Sequence, residues 1–337
     1  MNSAILKAVA SYLPPQRLSN EDLCRDHPSW TPEKVFAKTG IKERSVSGAD
    51  ETSVDMGIQA AIALFEKNSN EKEAVDFLIF CTQTPDYFLP SSACIIQEAL
   101  GLRESVGAID VNQGCSGFVY SLSIANGLIA SGSAKNVLII TADTYTKLIS
   151  PSDFSVRSLF GDGATASLVK AHDGPEGLGR FVFGTSGKGA NDLIVPAGGF
   201  RNPKSAKTAV VSDGGFGNKR SPEQLFMDGS KILVFGLSKV PSAVGQLLEN
   251  EGISVDDVDH FVFHQASLLM LQKLGKKMKI PSEKVPIALE YSGNTVSSTI
   301  PLALEQCFLM GKFKSGDVVV LVGFGVGLSW AACTIKM

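Results

Sequence analysis

The chain has 337 residues, enough to bury one large core or two smaller ones. A net charge of −3, with 19% charged and 44% apolar residues and 33 glycines, describes a globular, turn-rich protein and argues against a general nucleic-acid binder. Six cysteines (24, 81, 94, 115, 307, 333) form no C-x-x-C pair or dense framework, and neither Met1–Pro15 nor the glycine-broken apolar run Val318–Ala332 reads as a signal peptide or membrane span. The expectation is a soluble cytoplasmic protein without nucleic-acid or membrane partners.

In chain order, apolar periodicity predicts a helix over Val54–Phe65 and a strand over Val75–Phe80. A second short strand spans Val106–Val111, and small and apolar residues at helical spacing (Phe118, Leu122, Ala125, Leu128, Ile129) follow over Gly117–Ser131. Between them stands Cys115, flanked by Gly114 and Gly117. A thiol at a strand-to-helix junction meets unpaired N–H groups and the helix dipole, which stabilise thiolate. An inert buried cysteine fits the local pattern equally well. Lys135–Ile140 is a further strand, and residues 172–177 (His-Asp-Gly-Pro-Glu-Gly) read as a loop. The second half repeats the order: a helix over Ile232–Leu248, a strand over Val258–Phe263, a small-residue helix near 296–310, and strands over Gly316–Leu321 and Leu328–Ile335.

The repetition has a nearly constant offset. Val75–Phe80 matches Val258–Phe263 at 183 residues (258 against 75), and Lys135–Ile140 parallels Gly316–Leu321 at 181 (316 against 135). One such match between apolar strands is ordinary; two, with the same elements around them, favour a duplicated α/β unit divided into residues 1–172 and 173–337. Packing about a pseudo-twofold axis then gives the helix after Cys115 a counterpart starting near Gly293-Asn294-Thr295, while the strand ending at Cys81 matches one ending at His264. Strand ends and helix starts are where α/β folds assemble sites, so Cys115, His264 and Asn294 are expected in one neighbourhood.

These three residue types suit thioester chemistry. A cysteine can hold an acyl group covalently, and a neutral imidazole and an amide can both donate hydrogen bonds to a carbonyl oxygen becoming an enolate. Backbone N–H groups of Gly323–Leu328 could form an oxyanion hole; the stretch lacks G-x-G-x-x-G spacing and is not a dinucleotide loop.

The chain resembles the β-ketoacyl-[acyl-carrier-protein] synthase III family of the thiolase superfamily. The resemblance covers nearly its whole length. It rests on Thr39-Gly40-Ile41-Lys42-Glu43-Arg44, Leu89-Pro90-Ser91-Ser92-Ala93-Cys94, Asn112-Gln113-Gly114-Cys115-Ser116-Gly117-Phe118 and Phe160-Gly161-Asp162-Gly163-Ala164, then His264-Gln265-Ala266, Gly293-Asn294-Thr295 and Gly323-Phe324-Gly325-Val326-Gly327. It implies a duplicated five-layer α-β-α-β-α fold and a cytoplasmic homodimer. The implied reaction is acylation of Cys115 by an acyl-CoA, followed by decarboxylative Claisen condensation with a malonyl-acyl carrier protein. His264 and Asn294 would hold the malonyl thioester carbonyl, and the backbone N–H groups of Cys115 and Val326 the acyl oxygen. No metal or redox cofactor is implied, coenzyme A thioesters being substrates.

The resemblance further assigns Leu89, Phe160 and Met227 to an acyl pocket, with Leu89 reaching a partner subunit's pocket and leaving room for a longer or branched chain. Lys38, Arg157, Gly229 and Ser230 are assigned to coenzyme A and pantetheine. Lys273, Lys276 and Lys277 read either as a solvated helix face or as a docking patch for an acidic carrier protein. The family's adenine-stacking tryptophan aligns with Lys34, its partner arginine with Phe154, and Ser267 and Leu269 replace a customary asparagine and arginine. Two rival readings are transfer of the Cys115-bound acyl group to a non-malonyl acceptor, and a partner subunit of a ketosynthase heterodimer. His260, four residues before His264, sits in a strand pattern that does not suit a metal pair, and residues 184–222 carry no recognisable pattern.

Overall fold

The computed structural model describes residues 3–215 and 217–337. The first half starts with β1 (Ser3–Tyr12), then the antiparallel pair β2 (Gln16–Ser19) and β3 (Glu43–Val46), which encloses α1 (Asn20–Asp26) and α2 (Pro32–Thr39). Next come α3 (Ser53–Lys67), β4 (Phe77–Cys81), α4 (Ser92–Ala99), β5 (Gly107–Val111), α5 (Gly117–Ala130), β6 (Asn136–Asp143), α6 (Phe154–Arg157) and β7 (Gly163–His172). Helix α3 begins just ahead of its apolar stripe because Thr52 and Asp55 form a reciprocal capping box, satisfying N–H groups the first turn leaves open.

Residues 173–176 join β7 to β8 (Gly177–Thr185), the first strand of the other half. Four two-residue strands follow: β9 (Leu193–Ile194), β10 (Ser212–Asp213), β11 (Lys219–Arg220) and β12 (Phe226–Met227), paired β9–β12 and β10–β11. Then come α7 (Gly229–Glu251), β13 (His260–Phe263), α8 (Leu268–Met278), α9 (Thr299–Leu309), β14 (Val318–Gly325) and β15 (Ser329–Lys336).

The large sheets have orders β1-β7-β6-β4-β5 and β8-β15-β14-β13, with the same sequence of antiparallel and parallel pairings; the first has one extra strand. Alternation along the strands places the core on both faces. In β6, Val137 and Ile139 face inward to α5, while Leu138 and Ile140 face outward to α3. In β14, Val319 and Leu321 join the same inner cluster, and Val320, Val322 and Phe324 turn to α7 and α8. Helices α5 and α9 are thus sandwiched between two sheets that α3 and α4, and α7 and α8, cover from outside: five layers, α-β-α-β-α. Phe118, Leu122, Ala125 and Ile129 on α5 are fully buried, each large one contributing about 1.5–3 kcal/mol. Helix α7 is long and apolar enough to cross a membrane by length and composition, yet Phe235, Val240, Val244 and Leu247 are buried in the outer cluster with the second sheet.

Candidate active site

Both sandwiched helices begin at the same end of the molecule, and each is preceded by a functional loop. Cys115, just before α5, is 4% exposed. The neighbouring strand end is glycine because nothing larger fits: a Cβ on Gly325 would lie 2.7 Å from Cys115 Sγ, and one on Gly323 2.8 Å from the Cys115 carbonyl oxygen. The backbone N–H groups of Val326 and Cys115 itself donate toward the sulfur. Burial is nevertheless the larger effect. Together with the nearby Asp143 carboxyl it pushes the thiol up to about 12, against those two N–H groups. The thiolate expected from the helix terminus is outweighed, and the resting group is a thiol.

His264 follows β13, its N–H donating to Val322 O at 2.8 Å. It is buried against the edge of Phe324, and desolvation pulls its imidazole down to about 3, so it is neutral at any physiological pH. Its Nδ1 lies 2.7 Å from Thr299 Oγ1 and its Nε2 3.5 Å from Asn294 Nδ2. The amide has one orientation, because Asn294 Oδ1 accepts the Val296 N–H at 2.9 Å and leaves Nδ2 for the imidazole side. Val296 makes that bond from a left-handed backbone with φ 55°, a costly conformation for a β-branched residue.

The surrounding frame is polar and buried. Asp143 accepts from Gln83 N at 2.8 Å, from Ser297 N at 3.3 Å and from the Ser297 hydroxyl, and burial raises it to about 7. Gln83 Oε1 accepts from the Tyr145 hydroxyl at 2.5 Å, so the loop after β4 is tied to the loop after β6. Asp162 gathers Ser47 N and Oγ and Thr146 N and Oγ1. Fully buried Arg44 donates to Ser158 O at 3.0 and 2.7 Å and to Asn20 Oδ1. The chain between them, Phe160-Gly161, runs against the Asn294 loop: Gly161 N donates to Asn294 O at 3.1 Å, and a Cβ on Gly161 would strike Ser292 O at 2.1 Å.

Cys115, His264 and Asn294 line one cavity of about 740 Å³, with Phe160, Met227, Gly229 and Ser230 also on its wall. Lys38 lines the mouth, its Nζ 5.0 Å above the Trp30 ring, and Trp30 stacks on Phe154 at 4.5 Å. Trp30, four residues before Lys34 and just ahead of the α2 N-cap Thr31, places an aromatic ring on the cavity wall. Its position depends on packing with Phe154, which no local pattern announces. Thr299 and Arg220, which also lacked a sequence signal, sit behind His264 and on the cavity wall respectively. Residues 184–222 contribute Leu193, Gly214, Asn218 and Arg220 to that wall, which accounts for a stretch without pattern of its own.

Other predicted residues lie elsewhere. Arg157 is absent from this wall; it pairs with Asp26 at 2.7 Å and lines a separate cleft. Leu89 is 82% exposed beside exposed Tyr87 and Phe88 and does not line its own chain's cavity. Lys273, Lys276 and Lys277 are exposed on α8, whose first turn borders the cavity at Ser267, Leu269 and Met270. His260 packs edge-on to Phe313 and lies 3.7 Å from Asp317. Among the described residues no group of three or more His, Cys, Asp or Glu side chains is placed to hold a metal ion.

Comparison with known proteins agrees across the whole chain. Residues 109–187 match the family "3-Oxoacyl-[acyl-carrier-protein (ACP)] synthase III", and residues 248–337 its C-terminal counterpart. A β-ketoacyl-[acyl-carrier-protein] synthase III of Coxiella burnetii is 34% identical, the match covering 100% of each chain. A crystal structure of a 3-oxoacyl-(acyl-carrier-protein) synthase III superposes with a TM-score of 0.98 at 48% identity, covering 99% of this chain and 100% of the other. A 3-oxoacyl-(acyl-carrier protein) synthase from Burkholderia xenovorans LB400 gives 0.91 at 35% identity, over 99% of this chain and 94% of that one.

Proposed function

The chain belongs to the 3-oxoacyl-[acyl-carrier-protein] synthase III family and is a condensing acyltransferase, and on that premise we propose how its residues divide the reaction. The Cys115 thiol attacks an acyl-CoA carbonyl; the acyl group moves to Sγ, and the thiol proton leaves on coenzyme A. Val326 and Cys115 N–H groups hold the oxygen that becomes negative. A malonyl-acyl carrier protein then loses carbon dioxide, with its thioester oxygen, turning enolate, between His264 Nε2 and Asn294 Nδ2. The carbanion attacks the acyl carbonyl, and the released sulfur takes a proton from solvent to regenerate the thiol.

The observation that carries this reading is that two side-chain nitrogens, His264 Nε2 and Asn294 Nδ2, lie 3.5 Å apart on residues lining the same cavity as Cys115. Thr299 Oγ1 lies 2.7 Å from Nδ1 and 3.0 Å from Val296 O, and the reading assigns the ring proton to Nε2, the nitrogen beside Asn294, when the thioester oxygen is bound. A neutral imidazole at about 3 keeps that role without proton transfer. Every proton and carbon is accounted for by the thiol, the two thioesters and solvent, so the reaction as written calls on no metal or redox cofactor.

Three partner assignments belong to the same reading. Lys38, Trp30, Gly229 and Ser230 receive the coenzyme A or pantetheine arm at the cavity mouth. The lysines of α8 dock the acidic carrier, since they continue from the turn that borders the mouth. Two copies join into a homodimer along the open edge at β5, where Ile109 is 37% exposed, covering Phe88 and Leu89, which are 76% and 82% exposed. Six unpaired thiols among the described residues suit the reducing cytoplasm in which we place the enzyme.

Intact-protein mass spectrometry with a panel of acyl-CoAs, followed by malonyl carrier protein, tests the reading. An acyl adduct on Cys115 that disappears as carbon dioxide and a ketoacyl carrier form is the expected result. An adduct that persists would refute the condensation step as assigned, and no adduct would refute Cys115 as the acceptor.

A further inference from the structure

The Thr299 hydroxyl has two acceptors within reach and one proton to give. Its Oγ1 lies 2.7 Å from His264 Nδ1 and 3.0 Å from the Val296 carbonyl oxygen, and all three residues are buried. A threonine hydroxyl donates once, so it serves one of these neighbours at a time. Donating to Val296 O, it accepts from an Nδ1–H; donating to Nδ1, it leaves the ring proton on Nε2. Turning between them strips Val296 O of no essential bond, because the Thr299 N–H donates to the same oxygen. On the other side of the ring, Asn294 Nδ2 stands 3.5 Å from Nε2, its orientation fixed by Oδ1 accepting from Val296 N at 2.9 Å. A bare Nε2 accepts from that amide. A protonated Nε2 meets it donor to donor, and the pair then needs an oxygen between them. The two ends of the ring are therefore linked. Nδ1–H goes with Thr299 on Val296 O and Nε2 on the amide; Nε2–H goes with Thr299 on Nδ1 and an oxygen held jointly with Asn294.

We propose that Thr299 is a positioning residue whose hydroxyl turns from Val296 O to His264 Nδ1 when the malonyl thioester binds, as the imidazole passes from its Nδ1–H to its Nε2–H tautomer. The proposal rests on the reading of His264 and Asn294 as the pair that holds the thioester oxygen. The Nδ1 proton passes to water and one from water arrives on Nε2, so the ring stays neutral and no proton goes to the substrate. The thioester oxygen supplies the bias, being the acceptor that the Nε2–H form requires. Before that substrate arrives, Nε2 is engaged by Asn294 and offers the cavity no donor.

The test reads the tautomer directly by NMR of isotope-labelled histidine, in which a protonated ring nitrogen and a bare one are distinct. The chain has only four histidines, and His264→Ala identifies the relevant signal. The probe is a malonyl-coenzyme A analogue with an NH group in place of the thioester sulfur, added to enzyme acylated on Cys115. The proton is expected on Nδ1 without the analogue and on Nε2 with it. Thr299→Val keeps the side-chain shape but not the hydroxyl. It should hold the proton on Nδ1 even with the analogue, and lower kcat for condensation of pre-acylated enzyme roughly tenfold, with a smaller change in KM for malonyl carrier. Thr299→Ser should restore both. A proton on Nε2 before the analogue is added, or one that stays on Nδ1 after it binds, would overturn the switch, and these wild-type spectra decide it without any variant. A kcat in Thr299→Val equal to that of the wild type would overturn the role of Thr299. Wild-type enzyme that acylates but does not condense would overturn the assigned roles of His264 and Asn294, and the switch with them.

Discussion

The two halves share a topology but end their matching strands differently. β6 and β14 are both eight residues long and occupy the same place in their sheets; β6 closes on Asp143 and β14 on Gly325. Each end reaches across to the other half's helix start. Asp143 is a buried carboxyl gripping Ser297 ahead of α9, and Gly325 is a vacancy that admits the Cys115 sulfur ahead of α5. The neighbouring strands diverge likewise: at the position matching His264, the first half carries Cys81, buried under α5 with its thiol donating to Gln113 O at 3.2 Å. Duplication thus built the frame twice, and function came from filling equivalent positions with unlike side chains: a nucleophile and its space on one diagonal, a carboxyl anchor on the other.

If the halves divide the chemistry in this way, removing groups from each should fail at different steps. Cys115→Ala should abolish the acyl adduct and lower turnover at least about a thousandfold, read by mass spectrometry and product assay. His264→Ala and Asn294→Ala should each slow condensation of pre-acylated enzyme by about 10²–10³-fold while acylation stays within tenfold. Equal loss in both steps would break the division. Gly325→Ala tests the vacancy: its methyl meets Sγ, and acylation should fall roughly tenfold to a hundredfold with the fold retained by circular dichroism.

Asp143→Asn sharpens the other diagonal. An amide cannot replace all three accepted hydrogen bonds, and the expected loss is about 1–3 kcal/mol by urea unfolding. Asp143 is raised from 3.8 to about 7 in the fold, so its contribution is complete below pH 4 and declines as pH rises through 7. The variant's deficit should therefore be greater at pH 5 than at pH 8. Smallest of all is a predicted flatness: His264, at about 3, stays neutral, so condensation from pre-acylated enzyme should vary less than about twofold between pH 6 and 8. Acylation should rise over the same range because the Cys115 thiol, at about 12, is still protonated.

Much of this frame was legible in the chain. Strands buried on both faces gave continuous apolar runs, and the repeat offset paired Val75–Phe80 with Val258–Phe263 without any structure. Cys115, His264 and Asn294 were found because they follow or precede those elements directly. Trp30 was not, since its place at the mouth depends on a Phe154 more than a hundred residues away. Residues 184–222 were opaque for a related reason: β9, β10 and β11 are two residues each, too short for any periodicity, while Leu193, Gly214, Asn218 and Arg220 reach the cavity wall. The thiolate expected at Cys115 failed because a dipole argument from sequence contains no measure of burial, which here outweighs it.

The short join at residues 173–176 has a consequence for inheritance as well as for folding. It holds side by side two units of which neither owns a working centre, and α5 and α9 share one buried apolar cluster between the two sheets. A chain severed there should yield fragments that are silent alone and regain turnover only when mixed. Mutations are then screened through the fit between units: a change harmless to one half is tolerated only if the opposite half still seats against it.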